Sequence, residues 1–140
     1  MATISDDDRS WAIYAHAAGL LVFTNVPYAN LIATFLIWLR VKRSDEMPFA
    51  RAHAAAAFNF QATYSLVVTV GSIAMLGLFL GHRDTFEASA LDRAWLLRGL
   101  GLYAILTLAN VVLSIIGAIA ASDLRAARSF VAIPFVAASR

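Results

Sequence analysis

Cysteine is absent from all 140 residues. That removes disulfides, thiolate metal sites and a cysteine nucleophile. Carboxylates are missing where a membrane would make them matter. Asp6, Asp7, Asp8, Asp45, Glu46, Asp84, Glu87, Asp92 and Asp123 each lie at or beyond the end of an apolar run, and none stands inside one. An ionised group at bilayer depth costs several kcal/mol, so spanning helices exclude it, and ion-coupled pumping usually requires one. No glycine-rich phosphate loop follows a strand pattern, and no serine is paired by local motif with a histidine and a carboxylate, so the chain reads as a non-enzyme. No basic stripe carries interleaved aromatics, which leaves nucleic acid out as a partner. The start, MATISDDDRS, is acidic, unlike a signal or transit peptide, and is expected to be retained.

What the chain has in excess is apolar: 61% hydrophobic residues against 14% charged, with a net charge of +2. An average soluble domain holds about 45–50% apolar and about 25% charged residues. A single domain of this length leaves much of its surface exposed, so the excess cannot all be buried inside it. Lipid covers it instead, and the composition points to an all-α integral membrane bundle.

Four helices are expected. Ser5 can cap the first, with three aspartates in its first turn, where the positive end of the helix dipole favours them. The apolar run from Trp11 to Phe23 stops at Thr24-Asn25-Val26-Pro27 and resumes from Tyr28 to Leu39. Proline removes a backbone donor and clashes with the preceding turn. With Asn25 and Asn30 on either side, a break at Asn25-Pro27 is favoured, giving short helices over about 6–24 and 28–41. As a hairpin, each half falls short of the roughly 20 residues a crossing needs. One kinked crossing is the alternative. Ser44-Asp45-Glu46-Met47-Pro48 reads as the next helix start, with Pro48 in the tolerated first turn. That helix, over about 48–81, would be on the order of 50 Å long against a hydrocarbon core of about 30 Å, so its alanine-rich first two turns are assigned to the headgroup layer. After a polar loop from His82 to Ala88, Ser89 and Asp92 resemble a capping box for a last helix over about 90–121. The tail over 124–140 mixes arginine with apolar residues, is interrupted by Pro134, and suits an interfacial segment.

Basic residues orient the whole. A hairpin that starts and ends inside gathers Arg9, Arg40, Lys42, Arg43, Arg51, Arg125, Arg128 and Arg140 on one side and leaves Arg83, Arg93 and Arg98 on the other. The positive-inside rule then makes the 40–51 loop and the C-terminus cytoplasmic.

Polar residues inside the apolar helices are the candidate sites. His53, Ala57, Gln61, Tyr64 and Gly71 share one face of the third helix; Tyr103, Thr107, Asn110 and Ser114 share one face of the fourth. Such stripes turn toward each other rather than toward lipid, as packing contacts or as the lining of a path between the helices. Arg40, Lys42, Arg43, Arg51, His53, Asn59 and Gln61 form a candidate interaction rim at the cytoplasmic face. His16 and His53 are the only candidates for metal or haem. Two histidines fall short of the three protein ligands of a catalytic zinc site, so no cofactor is expected.

Three motifs, WAIYAHAAGL from Trp11, PYANLIATFLIWLRVK from Pro27 and PFARAHAAAAFNFQ from Pro48, resemble the Tic20-like family of small prokaryotic membrane proteins. The resemblance is carried by Trp11, His16, Pro27, Asn30, Trp38, His53, Asn59, Phe60 and Gln61, and covers Asp7 to Tyr64 best. It implies four membrane helices with both termini inside, in a bacterial inner membrane, and little about activity. The expected role is a non-enzymatic accessory or assembly subunit, with the bilayer, other membrane subunits or further copies of itself as partners. A channel or transporter for a small solute is the alternative, and haem or metal binding through His16 and His53 a fainter one.

Overall fold

The computed structural model describes residues 4–24, 26–81, 90–127 and 132–136, with 90–93 by backbone alone. Among these residues the chain is all-helical: α1 (Asp6–Ala17), a 3-10 segment (Ala18–Thr24), α2 (Ala29–Val41), α3 (Pro48–Gly81) and α4 (Ala90–Ser122). Two helices, α3 and the Ala94–Ser122 part of α4, are long and apolar enough to cross a membrane.

Local signals explain most boundaries. The Ser5 hydroxyl accepts from the Asp8 N–H at 3.1 Å, and Asp6, Asp7 and Asp8 fill the first turn of α1. The helix expected over 6–24 is α-helical only to Ala17; tighter 3-10 turns carry the chain on to Thr24. Gly19 shows why it comes so close to its neighbours. A Cβ there would overlap the Ser114 hydroxyl and the Gln61 carboxamide. The chain then reverses through Val26-Pro27-Tyr28, with Tyr28 in the left-handed region at φ 59°. Asn25, half of the expected break, lies outside the described residues, as do the loop at His82–Ala88 and Ser89 of the expected capping box.

The reversal makes α1 and α2 a hairpin whose open ends lie together, since the Arg40 guanidinium sits over the Trp11 ring at 5.8 Å. This hairpin packs against only part of the long helices. The shared core is small-residue packing by Ala12, Ala15, Ala50, Ala54, Ala57 and Ala121, sealed by Val41 and Met47. Alanines let backbones approach closely, which is how helices in lipid gain contact. Beyond Ser65 the packing thins to contacts such as Thr69 with Tyr28 and Met75 against Gly99, and Val70, Ile73, Leu76 and Leu80 of α3 are exposed, as are Leu97, Leu100 and Ile105 of α4.

The start of α3 holds a feature with no local sequence signal. Its first N–H groups are met not by Ser44 or Asp45 but by Asp8 of α1, whose carboxylate accepts from Ala50 N at 2.6 Å and Phe49 N at 3.3 Å. The adjacent Arg9 donates to the Ser122 carbonyl at the end of α4, at 2.6 Å. One dipeptide thus matches an anion to a helix N-terminus and a cation to a helix C-terminus, each charge opposing the local dipole.

Candidate functional site

Gln61 is the centre of a buried polar hub. Its Oε1 accepts from Asn30 Nδ2 of α2 at 2.5 Å, and its Nε2 donates to Asn110 Oδ1 at 2.8 Å and Ser114 Oγ at 3.3 Å on α4. Asn110 Nδ2 completes the set by donating to the Gly19 carbonyl at 3.3 Å. Gln61, Asn30, Asn110 and Ser114 are all buried. Polar groups away from water are costly unless paired, and among the described residues no buried side-chain nitrogen or oxygen lacks a partner. The two stripes do meet, at the level of Gln61 and, through Tyr64 and Thr107 hydroxyls 3.2 Å apart, one turn further. Tyr103 and Gly71 do not join them; both are exposed. Because the hub's amides are spent on one another, it ties the helices together rather than lining an open path.

His16 and His53 also meet, with Nε2 of His16 3.0 Å from Nδ1 of His53 and the rings near perpendicular at 82°. The tautomers follow from the far partner. His53 Nε2 lies 3.0 Å from the Arg125 carbonyl. A carbonyl only accepts, so His53 Nε2 carries the proton, its Nδ1 accepts, and His16 Nε2 donates. Both nitrogens of His53 are engaged, and no group of three or more metal-binding side chains occurs among the described residues. Burial, and next the neighbouring His53, push the His16 imidazole down to about 4 from its ordinary 6.5. It is therefore neutral near pH 7. Gly117 makes room for this ring, since a Cβ there would overlap it.

The expected rim divides. Arg40 and Arg43 are exposed, and Lys42 lies over the Trp38 ring at 4.5 Å. His53, Asn59 and Gln61 instead turn inward and are buried. Asn59 has a partner that sequence reading missed. Its Nδ2 donates to the Val136 carbonyl and its Oδ1 accepts from the Val136 N–H, both at 2.9 Å, while the Thr63 hydroxyl accepts from Ile133 N at 2.8 Å. Residues 132–136 of the tail, expected to be merely interfacial, are strapped onto α3.

A closed polar hub, a hairpin packed on two long apolar helices and outward-facing leucines and isoleucines define a membrane-associated helical protein. Residues 7–136 match the model of the MamF/MmsF family, the magnetosome magnetite crystal formation protein family, and the chain belongs to that family. This corrects the Tic20-like resemblance. Of the residues that carried it, His16, Asn30, His53 and Gln61 join helices here and Asn59 holds the tail. No curated protein and no solved structure gives a significant match.

Proposed function

We propose that this protein is a non-enzymatic subunit of the magnetosome membrane that supports magnetite crystal formation by helping to assemble or organise membrane components. The observation that carries this reading is the family match, which runs through all four helices and the described part of the tail. Two further features support it. The polar side chains of the interior are spent on mutual hydrogen bonds, as in a framework, and α3 and α4 present long apolar faces to lipid or to other membrane helices. In this reading α3 and α4 cross the bilayer, the α1–α2 hairpin enters from the cytoplasmic side, and the exposed Arg40 and Arg43 lie at the cytoplasmic rim, where acidic partners can dock.

Deletion of the gene in its host, followed by electron microscopy of the mineral, tests the proposal. Crystals should become smaller or fewer and recover with the wild-type chain. Neutralising Arg40 and Arg43 together should leave the protein inserted but remove a co-purifying partner. Unchanged crystals after deletion would sink the functional reading; retention of every partner would sink the rim.

A further inference from the structure

Between the α1–α2 turn and the long helices lies a second polar group, and this one is not closed on itself. A cavity of about 510 Å³ is lined by Tyr28, Ser65, Thr69, Ser72 and Tyr103, with Ile73 among its apolar walls and, among the described residues, no charged side chain. Tyr28 holds its left-handed backbone at φ 59°, a conformation that costs a non-glycine residue about 1 kcal/mol, and its hydroxyl bonds Thr69 at 2.9 Å. Backbone strain of this kind collects at binding sites. The hydroxyls of Ser65, Ser72 and Tyr103 have no hydrogen-bond partner among the described residues. Ser65 is 7% exposed as a residue and lines the cavity.

Position makes these hydroxyls informative. Ser65 to Ile73 lie just past the midpoint of the 34-residue α3, where Leu66, Val67, Val70 and Ile73 are exposed apolar neighbours. At such depth water is scarce, and a hydroxyl without a partner is costly. An occupant that takes up their O–H protons accepts hydrogen bonds, is uncharged because no charged side chain among the described residues lines the cavity, and carries an apolar body. The volume falls within the few hundred to about 1,000 Å³ of small-molecule sites.

We propose that this cavity binds a neutral lipid-soluble ligand whose polar end bears carbonyl oxygens, with Ser65, Ser72 and Tyr103 donating to them. Two sources share that chemistry, a quinone and a diacylglycerol-type lipid. The assignment rests on the proposed crossing of the bilayer by α3, and not on the role in crystal formation.

The test uses the full chain in nanodiscs of dioleoylphosphatidylcholine, titrated separately with a short-chain ubiquinone and with dioctanoylglycerol, reading the unfolding midpoint. A saturable upward shift is expected with at least one probe. Quinone alone assigns the first source, diacylglycerol alone the second, and both the shared carbonyl recognition. Ser72→Phe fills the cavity from an exposed position and should weaken binding at least tenfold. Ser65→Ala removes a hydroxyl at little change in volume and should weaken it severalfold, which keeps the test intact if Ser72→Phe misfolds. No shift with either probe, or wild-type binding by Ser65→Ala together with a folded Ser72→Phe, overturns the proposal.

Discussion

Gln61 bonds Asn30 on one side and Asn110 and Ser114 on the other, so its removal orphans amides on two helices at once. A bond between membrane helices contributes about 0.6–2 kcal/mol, and an orphaned buried polar group costs about 1–3 kcal/mol. Gln61→Leu should therefore destabilise by about 2–4 kcal/mol, whereas Ser114→Ala, which loses only the 3.3 Å bond, should cost less than about 1 kcal/mol. Unfolding in mild detergent checks both, and equal losses would mean that Gln61 is not the centre of the network. His16 gives a prediction of opposite kind, in pH. Its folded pKa of about 4 lies below the ordinary 6.5. Between those values the unfolded chain binds more protons than the folded one, so stability rises with pH there, is complete above 6.5, and is lost as pH falls toward 4. The groups facing His16 are His53 on α3, Asp8 about two turns before it on α1, and Arg125 beyond α4. The linkage can reach about 3 kcal/mol. A midpoint that does not move across that window, or moves equally in His16→Gln, would contradict the assignment.

At the scale of elements, the turn that ends α4 is built on an unfavourable residue. Arg125 N bonds the Ala120 carbonyl at 2.8 Å and Leu124 N bonds that of Ala121 at 3.2 Å, the pattern of a Schellman cap. Its left-handed position, usually glycine, holds Leu124 at φ 56°. The same turn presents the Arg125 carbonyl to His53. Because Leu124 is half exposed and buries little, Leu124→Gly should stabilise by about 0.5–1 kcal/mol, strain relief outweighing the looser unfolded chain. A lower midpoint would show that the leucine contacts matter more than its backbone. Such turns mark the edge of what sequence shows. The Ser5 cap, the reversal near Pro27, the start of α3 at Pro48 and its long apolar run were legible because each depends on residues within a few positions. The meeting of Gln61 with Asn110 was legible as two stripes, since apolar helices leave polar residues nowhere else to face. Asp8 capping α3 and Asn59 pairing with Val136 were not, because the partners lie 42 and 77 residues away and any exposed aspartate or asparagine would look the same. The Tic20-like resemblance is overturned by the family match over residues 7–136, and several residues it used, His16, Asn30, His53 and Gln61, are spent on contacts between helices.

The whole molecule is unequal along its length. Four helical layers surround the alanine core at the end where Asp8 and Arg9 clamp α3 and α4, and only the two long helices continue past the hairpin turn. Helix α3 has 34 residues, on the order of 50 Å at about 1.5 Å each, against a core of about 30 Å. In the proposed spanning arrangement the surplus lies outside the hydrocarbon, and the polar end with Arg40, Lys42 and Arg43 is the cheaper one to leave in water. The absence of cysteine makes this directly measurable, since any introduced thiol is unique. Arg43→Cys should react readily with a membrane-impermeant maleimide from the cytoplasmic side in inverted vesicles. Val70→Cys and Leu97→Cys, exposed in the isolated chain at 58% and 68%, should resist the reagent at least tenfold until detergent strips the lipid. Their protection would come from lipid or from a neighbouring apolar helix, because the chain's own packing does not supply it. Rapid labelling of both in intact vesicles would place these faces in water and refute a spanning arrangement of α3 and α4.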